Sequence, residues 1–309
     1  MKKNKDSINV GVVGVGHLGS LHARVYAHLR SATLIGVCDI DKKRAKKIGR
    51  KYKVWYYSDY QQLFDKVQAV SIAVPTSLHH KIACDFLNAG IHVLVEKPIT
   101  KTLEEADELV QIAEKNNLIL QVGHVERFNP AIRAIEPYLK SPRFIEGQRM
   151  GPLSKKARIK DVGVVLDLMI HDIDIILELI KSEIKNIEVI GTSSVSNHED
   201  MANVRISLKN DVVCDITASR ITEEEVRKIR IFQEDSFITV DLLNRNAYIF
   251  RKKDNNIIKE NIKIRHNEPL KVELKSFINC VRTGSKPIVS GVEGRNALSV
   301  ALSILKKIN

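Results

Sequence analysis

Residues 8–19 read Ile8-Asn9-Val10-Gly11-Val12-Val13-Gly14-Val15-Gly16-His17-Leu18-Gly19, and the reading of this stretch decides the fold. Ile8–Val13 is a short β-rich run that leads straight into Gly-x-Gly-x-x-Gly. A helical segment follows from Ser20 to about Arg30, then a second β-like run, Thr33–Cys38, that ends in Asp39. Glycines alone mark only turns. In the order strand, glycine motif, helix, strand, acid, they specify a dinucleotide-binding unit. Gly14 permits the tight turn, Gly16 lets a pyrophosphate approach the backbone, and Gly19 lets the helix pack on the strand. His17 and Leu18 open the helix, whose N-terminus offers free N–H groups and a positive dipole end. Asp39 stands twenty residues past Gly19, where a carboxylate bonds an adenosine ribose. An acid there favours NAD over NADP, although Lys42, Lys43 and Arg44 follow closely enough to offset its repulsion of a 2′-phosphate.

The alternation continues outward from this unit. Ala69–Val74, Ile91–Val95 and Leu118–Val122 read as buried strands. Thr76–Ala89, closed by Gly90, and Thr102–Asn117, opened by a Thr102-x-x-Glu105 capping box, read as helices. Such alternation predicts an α/β doubly wound parallel sheet, with ligands beyond the carboxyl ends of its strands. That rule singles out Pro75, Thr76, His79, Glu96, Lys97, Pro98 and His124. Lys97 follows a buried strand and precedes a proline that keeps it out of helical conformation. It is either a donor to a substrate oxygen or a surface lysine in a turn.

After His124 the pattern changes, so we expect domains over 1–123 and 124–309. A helix is expected from Pro130 to about Lys140. Seven β-like runs follow between Ile187 and Ile264, with a hairpin turn at Asn210-Asp211, and they predict a mainly antiparallel sheet. Two helices close the chain, near Val272–Val281 and Glu293–Lys307. Between the transition and the sheet, Val164–Ile180 predicts a strongly apolar helix carrying Asp167, His171, Asp174 and Glu178 on one face. A carboxylate one turn before a histidine can fix its tautomer, which suits a general base. The same pair also serves as an ordinary structural contact.

Composition limits the alternatives. At 309 residues, two domains are the default. Apolar residues make up 44% and charged residues 28%, as in soluble globular chains, and no run of 18 apolar residues occurs. The first residues do not read as a signal peptide. Cys38, Cys84, Cys214 and Cys280 are few and scattered, without a CxxC pair. This predicts a reducing cytoplasm and no structural zinc, and no ligand cluster for a catalytic metal is legible. The net charge of +12 is densest in Lys42–Lys53, which holds eight Lys and Arg around Ala45, Ile48 and Tyr52 at helical spacing. That is the solvated face of a helix. With 5% aromatics and no groove-reading module, a nucleic-acid partner is not expected.

Taken together, several motifs resemble the Gfo/Idh/MocA oxidoreductases over nearly the whole chain. They are Gly14–Gly19, Ala73–Thr76 with His79, Glu96-Lys97-Pro98, Arg127-Phe128-Asn129-Pro130, Asp167-x-x-x-His171-Asp172 and Glu293-Gly294-Arg295. The resemblance implies a nicotinamide-dependent enzyme acting on CH–OH groups of sugars or cyclitols. It also implies an open-faced second sheet that binds substrate and forms a homodimer or homotetramer. Lys97, Asp167 and His171 would be the catalytic set. Asp161–Leu166 lacks the triple glycine of many members and is more similar to the branch acting on UDP-N-acetylglucosamine at its 3-hydroxyl, as is His124–Pro130. Substrate contacts are then expected from His124, Arg127, Asn129 and Asp174, and from the basic segment Arg149–Lys160, where Arg149, Lys155, Lys156, Arg158 and Lys160 would clamp a diphosphate. Two other readings stay open: a free-sugar or inositol dehydrogenase, and a non-catalytic NAD-binding regulator.

Overall fold

The computed structural model describes residues 7–152, 162–254, 256–265 and 267–308. The chain divides into two compact units, and each is built as a layered α/β body.

In the first unit, β1 (Ile8–Val13), α1 (His17–His28), β2 (Ala32–Cys38), α2 (Lys42–Tyr52) and β3 (Trp55–Tyr57) form the first half of a wound sheet. The second half is β4 (Ala69–Ile72), α3 (His79–Asn88), β5 (His92–Glu96), α4 (Leu103–Lys115) and β6 (Leu120–Gly123). All neighbours pair in parallel in the order β3-β2-β1-β4-β5-β6. The order reverses between β1 and β4, the position where such sheets open a crevice for a ligand. The capping box at α4 forms with a shift. Thr102 Oγ1 accepts from Glu105 N–H at 3.3 Å, while the Glu105 carboxylate accepts from Lys101 N–H at 3.0 Å. The basic run Lys42–Lys53 is indeed α2, with Ala45 and Ile48 buried and Asp41 capping its N-terminus.

The second unit holds α5 (Pro130–Ile135), β7 (Pro142–Met150), a π-helical turn at Val165–Met169 and α6 (Ile170–Ile180). Then come β8 (Ile184–Thr192), β9 (Met201–Leu208), β10 (Val213–Ser219), β11 (Val226–Gln233), β12 (Ser236–Asp241), β13 (Asn246–Lys253) and β14 (Asn256–Asn261). The eight strands lie in the order β14-β13-β12-β11-β7-β10-β9-β8, antiparallel except for the β7–β10 pair. One face is the core. Ile170, Ile173 and Ile176 of α6 join Val204, Ile216, Ile229, Ile231 and Ile238 there. On the other face Phe144, Phe232, Phe237 and Phe250 form a row across β7, β11, β12 and β13, with ring centroids 4.6–5.6 Å apart.

Three sequence expectations change. Strand β7 was not foreseen, because its inward positions are Ile145, Gly147 and Arg149, which break the apolar alternation. The helix expected over Pro130 to Lys140 stops at Ile135 and tightens into a 3₁₀ turn at Glu136–Tyr138. The expected boundary assigned everything after residue 123 to the second domain, yet Glu268–Asn296 belongs with the first unit. The reason is α7 (Pro269–Thr283), whose apolar stripe Leu274, Phe277 and Ile278 is fully buried in the same core as Val10, Val12 and Tyr26. The closing helix α8 (Gly291–Ile308) contributes to both units, changing over after Asn296.

Candidate active site

The first unit supplies a cradle whose three glycines have separate reasons. Gly14 adopts φ +80°, and a Cβ there would lie 2.6 Å from Ala73 O. At Gly19 a Cβ would lie 1.7 Å from Gly14 O, so only glycine lets α1 start this close to the loop. Gly16 has no atom within 4 Å of its Cβ position, so its backbone faces open space. Helix α1 begins there without a side-chain cap and with no acid in its first turn, beside the exposed His17 and half-buried Leu18. A bare helix N-terminus behind an open glycine loop fits a pyrophosphate.

Asp39, at the end of β2, is 5% exposed and tied into this loop. Its Oδ2 accepts from Val15 N–H at 2.9 Å and its Oδ1 from Asp41 N–H at 2.9 Å. Arg44, half-exposed on α2, stands 3.3 Å from the same carboxylate. At the next strand ends, Pro75 is exposed and Thr76 half-buried at the start of a 3₁₀ turn. His79 is buried, its Nδ1 2.8 Å from Pro98 O and its Nε2 3.0 Å from Val74 O, and burial pushes its pKa down. The ring lies between the β4 turn and the β5 turn, and because both partners are carbonyl oxygens a neutral imidazole donates to only one of them at a time. Glu96 is buried with an oxygen 2.9 Å from His22 Nε2, and its carboxylate fills the place a side chain at Gly123 would need. Lys97 follows β5, half-buried, joined to Pro98 by a cis peptide. His124 is fully buried at the end of β6.

The second unit presents Asp167 and His171 on one continuous helical run, both half-buried. The run is not the regular helix expected. Asp167 sits in the π turn and His171 in α6. The wider turn rotates Asp167 about the axis relative to an α-helical position, and such turns recur where a helix carries function. Glu199 fixes the start of the run. Its backbone O accepts from Val164 N–H and its Oε1 from Val165 N–H, both at 3.0 Å. The loop bearing Glu199 is itself anchored by buried Asp200, whose carboxylate accepts N–H bonds from Ser194, Val195 and Ser196. Burial opposes that charge, but these donors and the Ser196 hydroxyl outweigh it and hold the carboxyl at about 2. Arg220 adds a bond to Val162 O at 2.8 Å. Glu199 was not singled out from sequence, because its partner lies thirty-four residues away.

Gly163 makes this arrangement possible. A Cβ there would fall 2.0 Å from the Glu199 carboxylate. Gly163→Ala should therefore expel Glu199 from its cap, cost about 0.5–2 kcal/mol of stability, and lower turnover by loosening Asp167. Thermal melting and turnover measured together check this. An alanine variant that matches wild type in both would show that Glu199 does not hold the turn.

The other residues expected to touch substrate are engaged within the fold. Arg149 belongs to β7, not to a basic loop, and is 3% exposed. Its Nε and Nη2 donate to the two oxygens of Asp172 at 2.7 and 2.9 Å, and its Nη1 to Glu126 at 3.0 Å. This is the correction to its expected place in a diphosphate clamp. Arg127, also buried, pairs with Asp174 at 3.3 Å and with Glu178 at 2.8 Å. Asp174 therefore belongs to a buried ion pair, and half-exposed Glu178 joins the same arginine at the edge of it. Asn129 caps α5 through Ala131 N–H and donates to Glu126 and to Leu242 O. Lys155, Lys156, Arg158 and Lys160 lie outside the described residues.

A dinucleotide cradle and a separate helical run bearing a carboxylate and an imidazole four residues apart define a nicotinamide-type oxidoreductase. The profile of an oxidoreductase family with an NAD-binding Rossmann fold matches residues 8–124, and that of the GFO/IDH/MocA C-terminal domain matches residues 141–238. UDP-N-acetylglucosamine 3-dehydrogenase of Acidithiobacillus ferrooxidans is 34% identical over 96% of each chain. Its solved structure superposes with a TM-score of 0.93 over 98% of each chain. The scyllo-inositol 2-dehydrogenase (NAD(+)) of Bacillus subtilis is 28% identical over 96% of this chain and 92% of its own. Levoglucosan dehydrogenase in complex with NADH shares the fold, with a TM-score of 0.89 at 17% identity over 98% of this chain and 97% of that one. The chain belongs to the Gfo/Idh/MocA family of NAD-binding oxidoreductases. Among the described residues no helix is long and apolar enough to cross a membrane.

Proposed function

We propose that the protein oxidises a secondary alcohol of a nucleotide sugar to a ketone, and that the alcohol is the 3-hydroxyl of UDP-N-acetylglucosamine. The observation that carries this reading is the end-to-end likeness to the Acidithiobacillus enzyme, at higher identity than the inositol dehydrogenase. His171 takes the hydroxyl proton. Asp167 orients the imidazole and stabilises its charged form. Lys97 donates to the reacting oxygen as negative charge grows on it. Bound nicotinamide supplies the hydride acceptor. The buried Asp39 carboxylate beside the glycine loop favours NAD, while Arg44 beside it leaves NADP as the cofactor to compare.

Lys155, Lys156 and Arg158 supply the diphosphate contacts in this reading, and Arg149 supplies none. We also infer a homo-oligomer assembled through the phenylalanine row on the open sheet face, which light scattering reads directly. The deciding experiment compares UDP-N-acetylglucosamine with free N-acetylglucosamine and scyllo-inositol, each with NAD and with NADP. The UDP-sugar with NAD should give by far the largest kcat/KM. Equal turnover of the free sugar would remove the diphosphate from recognition. Preference for the cyclitol would move the reading to an inositol dehydrogenase.

A further inference from the structure

The sequence shows no zinc-ligand spacing, yet the first unit assembles three groups with metal-binding chemistry on its surface. His80 and Cys84 stand four residues apart on α3 and so share a face. Glu108 reaches them from α4, which packs against α3. His80 Nε2 lies 2.9 Å from Glu108 Oε2 and 3.4 Å from Cys84 Sγ, and the three ligand atoms fall within 4.8 Å of one another. We propose that His80, Cys84 and Glu108 form a binding site for a thiophilic divalent ion such as Zn²⁺, with solvent in the fourth position.

The geometry needs little adjustment. With bonds of about 2.0–2.1 Å to nitrogen, 2.3 Å to sulfur and 2.0–2.2 Å to oxygen, tetrahedral ligand atoms stand about 3.3–3.7 Å apart. The His80–Cys84 separation of 3.4 Å already lies in that range, and the His80–Glu108 separation of 2.9 Å needs to open by only a few tenths of an ångström. The charge also balances, since one thiolate and one carboxylate neutralise a dication. The donor set selects the ion. Imidazole and thiolate favour zinc, cobalt and copper over magnesium and calcium, which prefer oxygen alone. Exposure is graded as an open site requires: Cys84 and His80 are half-buried and Glu108 is exposed. A purely hydrogen-bonded triad is less satisfactory, because one Nε2–H would serve both the carboxylate and the sulfur. A cation bound here would hold the Cys84 sulfur as thiolate. An ion held here ties α3 to α4.

The site is independent of the substrate reading, and its test reads no turnover of loaded enzyme. The 309-residue chain, stripped by chelator and kept in a thiol-free reductant, is titrated with Co²⁺ alone. Expected are one ion per chain, a sulfur-to-cobalt charge-transfer band with tetrahedral visible bands, displacement by Zn²⁺, and a raised melting temperature. Cys84→Ser should abolish the charge-transfer band and weaken binding at least about tenfold. Glu108→Gln should weaken binding while keeping that band. Both variants should fold as wild type by circular dichroism and keep the turnover of the ion-free protein. Cobalt binding without a thiolate band, or equal affinity in Cys84→Ser, overturns the site.

Discussion

Replacing His171 by alanine is expected to cut turnover by about 10²–10⁴-fold while binding of the dinucleotide persists. The dinucleotide motif, Gly14–Gly19 with Asp39, lies wholly in the first unit, whereas His171 is carried by α6 of the second. Loss of the imidazole removes the proposed base and leaves the glycine cradle unchanged in sequence. Lys97→Ala should show a comparable loss if, as proposed, its ammonium donates to the growing alkoxide. Asp167→Asn should do less harm, since an amide still orients a ring but no longer stabilises its charge. The measurements are kcat at saturating substrate and dinucleotide affinity by fluorescence, on variants that melt as wild type. Full activity in either alanine variant would remove that residue from the chemistry. A parallel loss of dinucleotide affinity in His171→Ala would mean that the variant disturbs the fold and not the proton transfer.

The parallel sheet was legible because each of its signals is local. Gly14, Gly16 and Gly19 sit within one turn, and the strands at 69–72 and 92–96 are continuous apolar runs. Contacts made at long range were not legible. Arg149 looked like the first residue of a basic loop because the sequence shows its neighbours in the chain, Lys155 to Lys160, but not Asp172 and Glu126. Strand β7 was hidden by the same arginine and by Gly147, which together interrupt the apolar alternation on its inward face. The π turn was invisible because an i→i+5 register leaves no mark on apolar periodicity when nearly every residue from 164 to 170 is apolar. His80 and Cys84 share one helix face but were not singled out as a pair in the sequence. Only the packing of α3 on α4 makes them a triad with Glu108.

The placement of Arg149 yields the largest expected effect on stability. Arg149→Met should destabilise the protein by about 3–5 kcal/mol, the range for removing one partner of a buried ion pair. The guanidinium is the shared counter-charge of two buried carboxylates. Burial pushes the Asp172 pKa up even with Arg149 in place. At Glu126, burial pushes the same way, but Arg149, Asn129 and Arg227 outweigh it and hold the pKa below its usual value. Without Arg149 both carboxyls shift upward, so the folded state takes up protons that the unfolded state does not. A folded-state pKa above the unfolded one makes stability fall as pH rises through that window. The deficit of the variant against wild type should therefore be larger at about pH 8 than at about pH 5. Replacing the whole set, Arg149→Met with Asp172→Leu and Glu126→Leu, should recover much of the loss, because no charge is then left unpaired. Denaturant unfolding at the two pH values reads both effects. A direct role of Arg149 in holding a diphosphate predicts the opposite pattern, a raised KM for the UDP-sugar at unchanged melting temperature, and that result would return this arginine to the substrate site.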